Sequence, residues 1–288
     1  MLLLHGFGAS SAHWRHNVAG LAEQGYLVYA IDLIGFGASA QPSKNILPRL
    51  DNLVWARQVE AFLLEIMQVS QHRPAVLVGN SLGGLTALTI AALRPKLIAA
   101  VIAAPLPDPA LMQPHTIHPR KPRRWQKKLQ RWFIPLICNL LPLEILIPVI
   151  VRSFLLRKAL QAAYHRSIRT DQELFHLIAQ PARRRTAPQS LRAMSIGMAL
   201  RSKQLTAPNL LRRLFSIKAS FPFMLIWGRK DRFIPLPIGL KLQEQYPLLT
   251  LSILEQTGHC PHDESPADFN QAVLTWLDLN LVSDRQRA

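Results

Sequence analysis

The stretch AVLVGNSLGGLTALTIAA, residues 75–92, joins two patterns at a single residue. Residues 75–79 form a short apolar, partly β-branched run of the kind that makes a buried strand, and from Leu82 onward the chain reads as a helix. Ser81 lies at the junction, inside Gly79-Asn80-Ser81-Leu82-Gly83, a G-x-S-x-G pattern. A serine on a sharp strand-to-helix turn needs small neighbours, and the turn lifts its hydroxyl clear of the backbone. The start of the helix beneath it offers unpaired N–H groups, including that of Leu82, suited to a developing oxyanion.

Working outward, further short apolar runs at 2–5, 26–32, 97–104, 223–228 and 250–255 read as buried strands. Helix-length stretches at 12–24, 51–70, 82–94, 236–246 and 265–281 alternate with them, the last opening with Ser265-Pro266. Such alternation predicts an α/β fold with a mostly parallel sheet and helices on both faces.

Charge divides the chain. Of 34 Lys and Arg, 21 lie in residues 115–218 beside only Glu144, Asp171 and Glu173, so that segment carries +18 and the remainder −1 of the total +17. The expected organisation is a core in two parts, 1–114 and 219–288, interrupted by a basic, apolar insert at 115–218. With 288 residues and 49% hydrophobic content, a disordered or disulfide-stapled chain is excluded. Cys138 and Cys260 lack metal-ligand spacing, and no metal or cofactor is expected. The N-terminal segment has no signal-peptide pattern, which predicts a non-exported protein of a reducing compartment.

Four segments in order resemble the α/β-hydrolase superfamily. They are His5-Gly6-Phe7-Gly8 after the first strand, DLIGFGAS at 32–39, the Ser81 turn, and the pair Trp227-Gly228-Arg229-Lys230-Asp231 and Gly258-His259 near the end. The resemblance implies a Ser81, Asp231, His259 triad with the Phe7 and Leu82 amides as oxyanion donors, and no cofactor. His259 would take the serine proton, and Asp231 would orient the imidazole. Serine at 81 separates the chain from the dehalogenase and epoxide hydrolase branches, which carry aspartate there. Asp108 is the rival acid, read here as part of a proline-rich turn. His5 and Asn80 are expected to flank the pocket, His5 supporting the oxyanion loop, with His13 and Trp14 beside it. His262, Asp263 and Glu264 are read as solvated loop residues, with a substrate contact for His262 as the alternative, and Cys260 as a packing residue. The superfamily ordinarily has two further leading strands, which this reading expects to be missing, and Met1–Leu4 is expected to form a sheet strand.

The insert occupies the superfamily's cap position. In RKPRRWQKKLQRWF, Trp125, Leu129, Trp132 and Phe133 share one helical face opposite Lys and Arg. Residues 132–151 follow with fifteen apolar positions interrupted by Pro135, Pro142 and Pro148. This predicts an interfacial hairpin on an anionic membrane rather than a spanning helix, the alternative being a lid that packs on the body. Trp125, Trp132 and Phe133 are candidate lid or pocket residues. No nucleic-acid motif is present. The strings GNSLGG and GHCPHDESP resemble the pheophytinase and chlorophyll dephytylase branch. That implies a lipophilic ester substrate such as a phytyl ester of chlorophyll or pheophytin, and peripheral attachment to the cytoplasmic side of a thylakoid-type membrane. The alternatives are a C–C bond hydrolase of ring-cleavage products, whose branch usually carries an aromatic residue where Cys260 stands, and an inactive membrane-binding protein of the same fold.

Overall fold

The computed structural model describes residues 1–42, 49–112, 124–217 and 221–282, with side chains except at 124–128, 130 and 282. Six strands, β1 (Leu2–Leu4), β2 (Tyr29–Ile31), β3 (Ala75–Asn80), β4 (Ile98–Ala104), β5 (Phe223–Gly228) and β6 (Leu249–Leu254), form one sheet in the order β2-β1-β3-β4-β5-β6. Every neighbouring pair is parallel. The run 26–32 yields three strand residues, which pair one to one with the three residues of β1. Met1–Leu4 belongs to the sheet, as expected: Leu2, Leu3 and Leu4 are fully buried between β2 and β3.

Strand side chains alternate between two cores, as the period of two requires. Leu2, Leu4, Leu77, Val101 and Leu225 face one cluster with α2 (Asn52–Ala61) and α3 (Leu82–Leu93). Leu3, Val78, Ile102 and Ile226 face the other, where Trp14 from the turn Ser11–Trp14, Leu21 from α1 (Val18–Glu23), and Phe269 and Trp276 from the C-terminal helix Pro266–Leu277 close the layer.

Between β4 and β5 the described residues form the short α4 (Pro109–Met112) and then six longer helices: α5 (Arg124–Leu140), α6 (Leu143–Arg152), α7 (Phe154–Ala163), α8 (Gln172–Ala182), α9 (Ala187–Leu200) and α10 (Ala207–Ser216). Pro135 and Pro148 lie inside α5 and α6, and the break comes at Leu141-Pro142, where the two helices bend by 55° and so form a kinked pair in place of the expected hairpin. No single described helix is long and apolar enough to cross a membrane.

Asp108, after β4, is an anchor for these helices rather than a plain turn residue. It is fully buried, pairs with Arg201 at 2.6 Å, and accepts from the amide of Ala207 at the start of α10 at 2.7 Å. Removing one partner of a buried ion pair leaves the other charge uncompensated. Asp108→Ala should therefore lower the urea-unfolding free energy by about 3 kcal/mol or more; a loss under about 1 kcal/mol, the value of an exposed pair, would contradict this account.

Candidate active site

The four matched segments all lie beyond the carboxyl ends of strands, where open α/β sheets bind ligands. Ser81 follows β3 directly, with φ 49° and ψ −114°, a left-handed backbone that a non-glycine residue adopts at a strain cost. The turn is held from both sides. The Ser81 amide donates to the Ala104 carbonyl at 3.2 Å, and a Cβ on Gly83 would sit 2.0 Å from the Leu4 carbonyl oxygen, so only glycine lets α3 approach the sheet this closely. Gly79 meets the Gly83 backbone in the same way.

Asp231 ends the loop after β5 with its carboxylate out of solvent. One oxygen accepts from the amides of Phe233 and Ile234 at 2.8 and 2.9 Å, and the other bonds His259 Nδ1 at 2.9 Å. The carboxylate thus fixes Nδ1 as the protonated nitrogen and leaves Nε2 as the available base. Asp108, bonded to Arg201, is committed elsewhere. His259, in the loop after β6, is fastened through its backbone at two points. Its amide donates to the Ala163 carbonyl at the end of α7 at 2.7 Å, and its carbonyl accepts from Asn80 Nδ2 at 3.1 Å. Asn80 also donates to the Ala104 carbonyl at 2.6 Å and so ties the serine turn to the histidine loop.

His5 is fully buried and its tautomer is determined. Nε2 accepts from the Leu33 amide at 3.0 Å, so Nδ1 carries the proton and donates to the Gly6 carbonyl at 2.7 Å. Burial lowers its pKa and keeps it neutral. In the loop after β2, Asp32 accepts from the Ser11 and Ala38 amides, both at 2.6 Å. Phe7, on the His5-Gly6-Phe7-Gly8 loop, faces the cavity and packs edge-on against Phe36. Among the described residues neither the Phe7 nor the Leu82 amide has a protein acceptor, so both are free to donate to a ligand.

Ser81, His259, Asn80 and Phe7 line one cavity of about 620 Å³, whose other walls are mainly apolar side chains of α6, α7, α8 and α9. No Asp, Glu, Lys or Arg is among its described lining residues. Trp132 and Phe133 do not line it; both stand exposed on the outer side of α5. Trp125 also lies on α5, and its side chain falls outside the described residues.

The reading of His262, Asp263 and Glu264 as solvated loop residues is overturned. They form the short helix α11 of the body's end, Pro261–Glu264, and all three are buried. Their partners come from the insert and from the body. Glu264 accepts from the Gly258 amide at 2.6 Å and the Arg166 amide at 2.5 Å, while a Cβ on Gly258 would lie 2.5 Å from the Ala163 carbonyl oxygen. Asp263 accepts from Arg15 Nε at 2.9 Å and from the Tyr164 hydroxyl at 2.9 Å. Since Tyr164 donates to Asp263, its oxygen accepts from His13 Nε2 at 2.9 Å, and His13 Nδ1 in turn accepts from His262 Nε2 at 3.2 Å. Arg15 extends the network to Asp171 at 2.6 Å. Cys260 is buried against Tyr164, and burial pushes its thiol pKa up, as befits a packing residue rather than a nucleophile. Among the described residues no group of His, Cys, Asp and Glu is arranged to hold a metal ion.

Residues 1–272 match the profile of the Alpha/beta hydrolase family, and the chain belongs to that family: it is a hydrolase of the α/β fold. It is 25% identical to the AB hydrolase superfamily protein YfhM of Bacillus subtilis, over 96% of this chain and 89% of that one. It is 28% identical to a 2-hydroxy-6-oxononadienedioate/2-hydroxy-6-oxononatrienedioate hydrolase of Burkholderia vietnamiensis, over 96% and 86%. Among solved structures, a thermophilic esterase from Thermogutta terrifontis shares the fold with a TM-score of 0.64 at 20% identity, over 96% and 88%.

The buried histidines make stability depend on pH. Burial, opposed by the Asp263 charge, pushes the His13 pKa from 6.5 down to about 4, and burial also holds His262 well below its ordinary value. Between those limits the unfolded chain binds protons that the fold refuses, so stability falls as pH falls from 6.5 toward 4. For Asp263, burial acts to raise the pKa, but the Arg15 hydrogen bonds and the surrounding charges outweigh it. Its contribution is therefore lost only below the ordinary carboxylate range. The unfolding free energy from urea titration should drop across the histidine window by up to about 3 kcal/mol from His13, with a further loss from His262 that His262→Gln removes. An equal drop in wild type and variant would show that His262 does not titrate with unfolding.

Proposed function

We propose that this protein is a serine ester hydrolase acting on an uncharged, lipophilic ester. Ser81 Oγ attacks the ester carbonyl carbon while His259 Nε2 takes its proton, and the negative charge gathers on the carbonyl oxygen between the Phe7 and Leu82 amides. Collapse breaks the C–O bond. The alcohol leaves with the proton from His259, and Ser81 is left acylated. A water molecule, deprotonated by His259, then attacks the acyl carbon and releases the acid and the free serine. Asp231 holds the imidazole and stabilises its charged form throughout.

The observation that carries the reading is the joining of this serine, base and acid to a cavity whose described walls are apolar and uncharged. A C–C hydrolase reading draws support from the ring-cleavage relatives. Their named substrates are carboxylate anions, a dicarboxylate in some and a phenyl-bearing monocarboxylate in others, and the described lining supplies no Lys or Arg to pair with them. Within lipophilic esters, the phytyl ester of a chlorophyll-type pigment is our specific proposal, supported by the resemblance of GNSLGG and GHCPHDESP to the pigment-dephytylating branch.

Ser81→Ala should abolish hydrolysis of both p-nitrophenyl esters and extracted pigment esters with little change in thermal unfolding, and Asp231→Asn should slow turnover by about 10⁴-fold. Phytyl pigment esters should be preferred over short p-nitrophenyl esters in kcat/KM. Turnover of a ring-cleavage dicarboxylate without turnover of any ester would replace this reading with the C–C hydrolase.

A further inference from the structure

Apolar exposure is concentrated on one part of the molecule. Among the described residues 24 large hydrophobic side chains stand exposed, and 13 of them fall between Leu129 and Leu155, on α5, α6, the link between them and the start of α7. Trp132 and Leu140 are each 73% exposed and Ile145 66%. Single exposed apolar residues are ordinary, but such a concentration of them on one bent pair of helices marks an interaction surface.

The charge around this bent pair narrows the partner. Arg131, Arg152, Arg157 and Lys158 are exposed on the same three helices, within the 115–218 segment that carries +18. The acidic residue of these three helices, Glu144, is paired with Arg192 at 2.9 Å. Long basic side chains flanking bulky apolar ones, with a tryptophan among them, match the chemistry of an anionic bilayer interface, where the apolar groups enter the acyl boundary and the cations meet headgroups. A protein partner with a matching apolar groove would not require so large an excess of one charge sign.

The two faces of α6 have different tasks. Ile145 and Val149 point outward, whereas Ile147 and Val151 line the cavity, and Ile150 does both, being exposed and at the cavity wall. One helix therefore separates the outer apolar surface from the inner one.

We propose that the outer face of the bent α5–α6 pair is a docking surface for anionic lipid bilayers, lying in the headgroup region with its bend at Leu141-Pro142 pointing inward. Docking in itself is independent of the Ser81 chemistry. That a lipid-dissolved ester enters past Ile150 rests on the ester hydrolase reading above.

The test is flotation of the full chain with phosphatidylcholine vesicles, with and without phosphatidylglycerol, together with quenching of tryptophan fluorescence by brominated lipid. Wild type should float with the phosphatidylglycerol vesicles, lose binding as salt rises, and show quenching that falls in Trp132→Phe. A triple variant, Trp132→Ser, Leu140→Ser and Ile145→Ser, should bind at least about tenfold more weakly. It should still hydrolyse a short soluble ester at the wild-type rate, which also reports that it is folded. Equal flotation of wild type and triple variant, or no flotation of wild type, would overturn the proposal. So would a wild-type dimer in sedimentation that the triple variant disperses, since this surface would then cover a second copy. Vesicle binding without ester hydrolysis would leave the docking surface standing and remove the ester reading alone.

Discussion

The site depends on the close approach of the start of α3 to the carboxyl ends of β1 and β3. Gly83 has no room for a Cβ against the Leu4 carbonyl, and Gly79 none against Gly83. This contact forces the chain to reverse within one residue, and Ser81 takes the strained φ of 49° that follows. The same approach places the Leu82 amide at a helix start with no acceptor and sets it near the loop that carries Phe7. Packing of the helix on the sheet and presentation of the nucleophile are therefore one constraint. A larger residue at 83 would have to move the helix and would displace the hydroxyl with it.

A second constraint is electrostatic. The loop that carries His259 lies between the sheet and the insert, and buried polar groups fasten it to both. Asn80 holds its carbonyl from the serine side, and Ala163 takes its amide from α7. Glu264 and Asp263 are buried carboxylates whose partners, the Arg166 amide, the Tyr164 hydroxyl and the Arg15 guanidinium, arrive from the insert and from the segment after β1. A buried carboxylate without partners would be costly, so the insert has to close over the loop in one arrangement for these charges to be satisfied. Base positioning and cavity formation are coupled in this way.

The sheet, its order of elements and the candidate triad were legible in the sequence because their signals are local. Apolar runs, a glycine pair around Ser81 and the order of three segments need no knowledge of distant contacts. The network around His262, Asp263 and Glu264 was not legible. Three polar residues after Gly258-His259 look solvated in isolation, and their partners lie 99 residues away in the case of Tyr164 and Asp263. The sequence AAYHRS around Tyr164 carries no motif that would have marked it. The prolines were legible as a group and not one by one. Together they argued against a regular spanning helix, and the chain does break at Leu141-Pro142, while α5 runs through Pro135 to Leu140. The roles of Trp132 and Phe133 depended on which side of α5 meets α9, a tertiary fact that helical periodicity alone does not contain.

The central claim is that Ser81 is an activated nucleophile. Reaction with a fluorophosphonate, followed by mass spectrometry of the peptide spanning residues 75–94, tests it without assuming a substrate. The account predicts one phosphonyl group per chain, on Ser81, formed at a rate that collapses in His259→Ala. An unmodified Ser81 under conditions that label a control serine esterase, or an adduct on Cys260 instead, would contradict it.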